Sequence, residues 1–114
     1  MPNMQKGEIW LVNLNPTKGS EQAGTRPVVI VSGNLLNNFA PVVWICPITS
    51  KIKNYKGNLV LKPTKKNGLT EKSEVLNLHL RSVAKERLIK KLGVISATEL
   101  THTRRGLSEI MQLD

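Results

Sequence analysis

Short apolar runs, separated by polar turns that contain glycine or proline, dominate the first two thirds of the chain and predict β-strands. In the first run, Trp10, Val12 and Leu14 fall on one face of the strand, and Ile9 and Leu11 fall on the other. The second and third runs are β-branched and apolar enough for strands that are buried on both faces. The predicted strands are residues 8–14, 28–32, 41–49, 58–62 and 74–81, with a short turn or helical piece at 34–39.

The last of these predicted strands alternates between leucine and polar positions. Its leucines occupy positions 76, 78 and 80, and Asn77, His79 and Arg81 lie between and after them. Because successive side chains of a strand point to opposite faces, we expect the leucines to be buried. His79 and Arg81 are then expected to point outwards together.

Two helices are predicted after this strand. The first, residues 82–92, begins at a possible serine cap and ends in two lysines before Gly93, which is typical of a helix C-terminus. The second opens with a capping box at 96–99 and runs to about Gln112. Its apolar side carries Leu100, Thr103, Leu107, Ile110 and Met111. The pattern as a whole predicts a small twisted sheet or barrel of mostly antiparallel strands with short helices packed on it, a mainly β (α+β) fold.

A polar loop punctuated by glycines leads directly into the second predicted strand. Gly19 and Gly24 allow tight backbone turns, and Pro27 biases Arg26 towards an extended conformation. A guanidinium at the mouth of a rigid strand could hold a phosphate. The same position also suits an ordinary surface arginine, so the local sequence leaves both interpretations open.

The length of 114 residues predicts a single domain, residues 1–114. The net charge of +9 predicts a polyanionic partner. Six lysines and no acid occur between residues 51 and 66. We interpret this cluster as an anion-binding segment, although a solvated loop beside a lysine-tipped edge strand would have the same composition. The longest apolar stretch, residues 40–48, is too short to span a bilayer, so no membrane partner is expected.

Cys46 is the single cysteine, which excludes an intrachain disulfide and fits a reducing compartment. Its apolar neighbours predict a buried, inert thiol. The N-terminal residues have no basic start followed by an apolar core, so we expect a cytoplasmic protein rather than a secreted one.

Several kinds of chemistry have no support in the sequence. One cysteine and two histidines that lie far apart make a zinc site improbable, and the eight carboxylates form no compact magnesium-binding pattern. There is no phosphate-binding glycine loop, dinucleotide fingerprint or serine-hydrolase elbow. RNA cleavage survives this elimination because RNA carries its own nucleophile, the 2′-hydroxyl. Such cleavage requires positioning, charge stabilisation and proton transfer, and no cofactor.

Four segments resemble one known family over nearly the whole chain. They are KGEIW at 6–10, NPTKGSEQAGTRP at 15–27, CPITS at 46–50, and the segment 73–93 with its Arg-Leu and Lys-Leu-Gly motifs. These segments resemble the MazF/PemK toxin ribonucleases. The resemblance implies an SH3-like twisted antiparallel barrel of the CcdB/MazF type with a C-terminal helix. It also implies a homodimer, an acidic MazE-type antitoxin as partner, and metal-independent, sequence-preferring cleavage of single-stranded RNA, including mRNA.

The resemblance also assigns site residues. The family's catalytic arginine falls on Arg26, its catalytic threonine on Thr49 and the glutamate of its loop on Glu21. Since an arginine stays protonated at ordinary pH, we expect Arg26 to stabilise charge on the phosphate rather than to remove a proton. Glu21 is expected to accept the 2′-hydroxyl proton or to orient Arg26.

A further set of polar residues is predicted to bind RNA through phosphate contacts, base contacts and one stacking ring. The set consists of Lys18, Ser20 and Gln22 in the loop, Lys51, Lys53, Tyr55 and Lys56 after the third strand, and His79 and Arg81 on the last predicted strand. The chain departs from the family at His79, where many members carry glutamine. This departure leaves the preferred RNA sequence open.

Two other functions remain as alternatives. A CcdB-like gyrase poison would share the barrel, but the arginine–threonine pair favours the ribonuclease. A non-catalytic basic RNA-binding module would bind RNA through its positive charge without cleaving it.

Overall fold

Seven strands and two α-helices make up the part of the chain that the structure, a computed structural model, describes: residues 4–14 and 24–112. The strands are β1 (Glu8–Asn13), β2 (Thr25–Ile30), β3 (Val42–Thr49), β4 (Val60–Leu61), β5 (Ser73–Val75), β6 (Arg81–Ala84) and β7 (Leu88–Val94). The helices are α1 (Asn34–Phe39) and α2 (Ala97–Met111), and two 3₁₀ turns lie at Asn77–His79 and Lys85–Arg87. The predicted mainly β fold with a C-terminal helix is confirmed.

All strand pairs are antiparallel, and β3 is the strand that joins them. The order along the sheet is β4-β5-β3-β2-β1-β7, and β6 pairs with β3 outside this path. Residues Val42 to Ile45 of β3 pair with β6, its middle pairs with β2, and Ile48 and Thr49 pair with β5. The strand changes partner next to Pro47, which has no backbone N–H to donate. The sheet therefore curls around β3.

Both faces of the curled sheet are covered by apolar side chains. One cluster contains Met4, Trp10, Val12, Leu14, Val28, Ile30, Val43, Ile45, Val83 and Leu88. The other contains Ile9, Val29, Val31, Cys46, Ile48, Leu61, Val75, Ile95, Leu100 and Leu107. Alternate residues of β2 and of β3 thus enter opposite clusters, which confirms the prediction that these two strands are buried on both faces.

Helix α2 begins at the predicted capping box. The amide of Glu99 donates to Ser96 Oγ at 3.1 Å, and the amide of Ser96 donates to Glu99 Oε1 at 2.8 Å. Leu100, Thr103 and Leu107 are buried as expected. Ile110 and Met111 differ from the prediction, because both are about half exposed at the end of the helix.

The predicted helix at 82–92 is wrong. This segment forms the end of β6, a 3₁₀ turn and most of β7, which pairs with β1. The sequence has good local helix propensity, but β1 needs a partner for its outer backbone groups. The pairing also buries Leu88 opposite Val12 and brings Lys91 Nζ within 2.9 Å of Glu8 Oε2.

Gly93 lies inside β7 rather than at a helix C-terminus. A Cβ atom built there would lie 2.2 Å from the carbonyl oxygen of Lys66 and 2.5 Å from the carbonyl carbon of Asn67. The amide of Val94 donates to that Lys66 oxygen at 2.8 Å. The glycine is therefore required by a close approach between two backbone segments.

The single strand predicted at 74–81 is also wrong. Strand β5 ends at Val75, the chain makes a 3₁₀ turn, and β6 then pairs with the opposite end of β3. The turn breaks the alternation, so Asn77 is buried while Leu78 is 63% exposed. His79 and Arg81 consequently do not share one strand face.

Gly93→Ala should lower the free energy of unfolding by about 1–3 kcal/mol, because its methyl group can fit only if the backbone moves. Gly33→Ala is the matched control. Gly33 has φ −69° with no atom near the added Cβ, and its replacement at the N-terminus of α1 should cost under about 1 kcal/mol. Urea unfolding of both variants measures the difference, and equal stabilities would contradict the close approach.

Candidate active site

Arg26 is placed by the ladder between β1 and β2. It pairs with Val12 across the two strands and is half buried. Just before it, Gly24 has a φ of +78°, a conformation that favours glycine, and its carbonyl accepts a hydrogen bond from the amide of Leu14 at 2.9 Å. This hydrogen bond joins the two residues that flank the segment 15–23, Leu14 and Gly24, which form the base of that segment. That segment, with Lys18, Ser20, Glu21 and Gln22, lies outside the described residues.

Thr49 is the last residue of β3 and is 5% exposed. Its Oγ1 accepts a hydrogen bond from the amide of Lys51 at 3.1 Å. This bond uses a lone pair of the hydroxyl and leaves its hydrogen available to donate. Thr49 is therefore held by both the strand and the start of the loop that follows.

Arg26 and Thr49 lie near the ends of neighbouring strands. The register of β2 and β3 pairs Val28 with Pro47. Continued by two residues, the same register would set Arg26 opposite Thr49. The fold thus places the two residues, 23 positions apart in the chain, on neighbouring strands just beyond the last described pair of their ladder.

A cleft of about 330 Å³ opens beside these strand ends. Its lining includes Gly24, Arg26, Ser50, Leu69 and Glu71, whereas the buried Thr49 lies between two lining residues, Ile48 and Ser50, and does not itself line the cleft. A larger groove of about 880 Å³ lies between α2 and Gly57, but it contains none of the predicted catalytic or RNA-binding residues. The smaller cleft is therefore the better candidate for the reaction site. Glu71 is an acid of this cleft that sequence analysis did not single out.

The predicted RNA-binding residues of the central basic segment form one solvent-facing loop. Lys51, Lys53, Tyr55 and Lys56 are all exposed, and they follow directly after Thr49. The structure thus brings this basic loop to the end of the strand that carries the candidate threonine. Its positive charge and single aromatic ring suit an RNA backbone and one stacked base.

The predicted pair His79 and Arg81 is separated. His79 is half buried in the 3₁₀ turn. Arg81 lies on β6, and its Nη1 donates to the carbonyl of Leu14 at 3.5 Å, at the base of the segment 15–23. Arg81 is therefore bonded to the residue that precedes the segment 15–23, whereas His79 lies in the 3₁₀ turn.

Glu74 is a buried acid that the sequence pattern marked only as one of the eight carboxylates without a magnesium-binding arrangement. Its side chain is fully buried and accepts hydrogen bonds from the amides of Lys53, Asn54 and Tyr55 and from Asn58 Nδ2. Burial by itself raises the pKa of this carboxyl, but the hydrogen bonds from Asn58 and the three amides lower the pKa by more, so that it lies below its ordinary value. One sequence signal could have indicated this role for Glu74. It is an acid within an otherwise buried strand, and it follows a lysine-rich segment that contains no acid.

Three further observations concern metal ligands, the cysteine and membrane-spanning helices. Within residues 4–14 and 24–112, no group of three or more His, Cys, Asp and Glu side chains could hold a metal ion. Cys46 is buried, as predicted, and burial raises the pKa of its thiol to about 12. No helix in the described part of the chain is long and apolar enough to cross a membrane.

Comparison with known proteins identifies the family. Residues 5–111 match the family described as the PemK-like, MazF-like toxin of type II toxin–antitoxin systems. The chain belongs to this family. The predicted membership among the MazF/PemK toxins is therefore confirmed.

Individual relatives agree with this assignment. Endoribonuclease MazF9 of Mycobacterium tuberculosis is 36% identical over 109 residues, which cover 91% of this chain and 92% of that protein. A crystal structure of MazF from Deinococcus radiodurans matches with a TM-score of 0.85 and 27% identity, covering 99% of this chain and 100% of that one. A MazE–MazF structure from the same organism matches over the full length of both chains, with a TM-score of 0.81 and 26% identity. These matches favour an endoribonuclease toxin over the gyrase poison and the RNA-binding module.

The hydrogen bonds of Glu74 predict a dependence of stability on acid. Because its pKa is lower in the folded state, the carboxylate contributes its full stabilisation above the unfolded pKa of about 4.3, and the contribution is lost as the pH falls through the folded-state value. Glu74→Gln has no such group. The stability advantage of the wild type over this variant should therefore shrink as the pH is lowered from about 5 towards 3. Urea unfolding across this range tests it, and a constant difference would contradict it.

Proposed function

We propose that this MazF-type toxin is a metal-independent endoribonuclease that cuts single-stranded RNA, including mRNA, at preferred short sequences. The observation that supports the proposal is the placement of Arg26 on β2, where it lines the cleft, and of Thr49 at the end of the neighbouring strand β3, where the basic loop begins. Family membership and the relative named as an endoribonuclease support the same activity.

The reaction follows from the chemistry of RNA. The 2′-oxygen attacks the adjacent phosphorus while the bond from phosphorus to the 5′-oxygen breaks. A base takes the 2′-hydroxyl proton, and the departing 5′-oxygen gains one. The products are a 2′,3′-cyclic phosphate, which can open to a 3′-phosphate, and a 5′-hydroxyl.

We assign the roles in this reaction by charge and hydrogen-bonding capacity. Arg26 binds the non-bridging phosphate oxygens and stabilises the charge that develops on them. Thr49 donates its hydroxyl hydrogen to the phosphate or positions the 2′-hydroxyl. Glu21 accepts the proton or orients Arg26.

RNA binding is assigned to two surfaces that flank these residues. The first is the basic loop, with Lys51, Lys53, Tyr55 and Lys56. The second is the segment 15–23 together with the residues at its foot, where Lys18, Ser20, Gln22 and Arg81 contact the RNA. His79 contributes to the choice of nucleobase.

The regulatory partner is an acidic antitoxin of the MazE type. The Deinococcus radiodurans structure contains MazE with MazF, and the net charge of +9 suits an acidic partner here. We further propose that the toxin acts as a homodimer in the cytoplasm, where a reduced Cys46 and access to mRNA are both expected.

Arg26→Ala should reduce cleavage of a long mixed-sequence RNA by at least about 100-fold, because the charge on the phosphate loses its main stabilising group. The assay contains EDTA, and circular dichroism verifies that the variant is folded. Lys90→Ala, an exposed lysine on β7, removes the same charge and should leave the rate unchanged. An Arg26→Ala protein that cuts at the wild-type rate would refute the role of Arg26.

The same assay separates the alternatives. Discrete cuts with 5′-hydroxyl ends support the proposal. Binding without cuts supports the RNA-binding module, and gyrase-dependent DNA breaks support the gyrase poison.

Lys53→Ala should weaken RNA binding in a salt-dependent way. Loss of one phosphate contact is expected to reduce the slope of log affinity against log salt concentration by about 0.7 for single-stranded RNA. Fluorescence anisotropy with a 2′-O-methyl RNA, which lacks the nucleophile, measures this slope without cleavage. Lys90→Ala again serves as control, and identical slopes for Lys53→Ala and wild type would remove Lys53 from the interface.

A further inference from the structure

The basic loop after Thr49 is attached to the fold by one buried carboxylate. Glu74 Oε1 accepts the amides of Lys53 and Asn54 at 2.6 and 2.9 Å. Glu74 Oε2 accepts the amide of Tyr55 at 3.0 Å and Nδ2 of Asn58 at 2.9 Å. All four donors belong to residues 53–58, which precede Glu74 by 16 to 21 positions in the chain.

The backbone conformation of the loop is adapted to this anion. Asn54 has a φ of +55°, in the left-handed region that asparagine tolerates better than most residues. Successive amides that flank such a residue can converge on one anion. The loop therefore wraps its backbone donors around the carboxylate, and hydrogen bonds to an ionised acceptor are stronger than neutral ones.

Glu74 is also adjacent to the candidate catalytic threonine. In β5 it pairs with Thr49 of β3 on one side and with Val60 of β4 on the other. The loop leaves the sheet after Thr49 and returns to it at β4, so Glu74 lies between its two ends. A side chain in this position can fix the loop relative to Thr49.

The contacts of Glu74 leave the lysines of the loop available. The carboxylate binds backbone amides, whereas the side chains of Lys51, Lys53 and Lys56 are exposed to solvent. In the described part of the chain, the ion pair that forms within 4 Å is Lys91 with Glu8, on β7 and β1. One buried negative charge thus orders a positively charged loop without pairing with its ammonium groups.

We propose that Glu74 is a positioning residue for RNA: it holds residues 53–58 in the conformation that presents Lys53 and Tyr55 to the RNA bound at Thr49. The inference rests on the proposed ribonuclease function. It adds to that function a residue that touches neither RNA nor the reacting atoms. Its effect falls on substrate binding, because Arg26 and Thr49 are themselves held by strands.

Glu74→Gln keeps the size of the side chain and removes its charge and one acceptor oxygen. We expect KM for RNA to rise about tenfold while kcat stays within about threefold, because loosening the loop weakens binding rather than chemistry. Simple destabilisation would act differently: it would lower the fraction of folded enzyme and hence the apparent kcat, with KM unchanged.

Glu8→Gln is the matched control. Glu8 is also a nearly buried carboxylate, which accepts the amide of Gln5 and Nε1 of Trp10 at 3.0 Å and pairs with Lys91. Its removal disturbs a similar site far from the loop in the sheet order. We expect Glu8→Gln to change stability and to leave KM at the wild-type value.

Amide hydrogen exchange gives a second readout that does not depend on RNA cleavage. In Glu74→Gln the amides of Lys53, Asn54 and Tyr55 should exchange at least about tenfold faster, while those of α2 keep their protection. If this variant fails to fold, Asn58→Ala removes one of the four donors and should shift KM and exchange in the same direction by a smaller factor.

The outcomes separate the two proposals. A wild-type protein that neither cuts nor binds RNA overturns the proposed function and the positioning role with it. A wild-type protein that cuts RNA, with Glu74→Gln showing the same KM or the same amide exchange, overturns the positioning role alone. A raised KM with faster exchange in Glu74→Gln but not in Glu8→Gln supports it.

Discussion

The antiparallel pairing of β3 with three different strands is the constraint on which the rest of the structure depends. Along one edge this eight-residue strand pairs first with β6 and then with β5, and along the other edge it pairs with β2. The curled sheet thereby brings residues that are far apart in sequence to one rim, at the end of β3. Thr49 is the last residue of this strand, Arg26 lies on β2 at one edge of it, and Glu74 lies on β5 at the other edge. The position of each candidate group is therefore fixed by backbone pairing rather than by side-chain contacts alone.

Charge is distributed around this rim according to burial. The negative group, Glu74, is fully buried and neutralised by backbone dipoles, while the positive groups remain in water on the same loop. A buried carboxylate with four good donors avoids much of the usual penalty of burial. Such a separation allows a basic surface to be rigid, and a rigid surface loses less conformational entropy when a flexible polyanion binds to it.

The sequence predicted those parts of the fold that have local signals. The strands of the first half, the capping box of α2 and the buried Cys46 were readable from periodicity, cap chemistry and composition. The segment 74–92 was not. Its alternating leucines predicted one strand and its helix propensity predicted a helix, but the chain instead forms β6 and β7, which pair with β3 and β1. This pairing is a long-range effect that local sequence does not encode. For the site, the family resemblance supplied Arg26 and Thr49. The acid in the predicted strand was the sequence signal for Glu74, but it did not reveal the role, because three of the four partners are backbone amides, which carry no sequence signature. The assignments of Glu21, Lys18, Ser20 and Gln22 stay predictions.

The buried thiol of Cys46 gives the folded toxin an internal reporter. With its pKa raised to about 12, the sulfur holds almost no thiolate at neutral pH and is shielded from reagents. Its rate of alkylation is then set by how often the apolar layer between β2, β3 and α2 opens to solvent. Slow labelling of this thiol in the natural protein therefore reports how often the core opens. For the same reason, a dye can be attached to a cysteine introduced on the surface while Cys46 stays unlabelled.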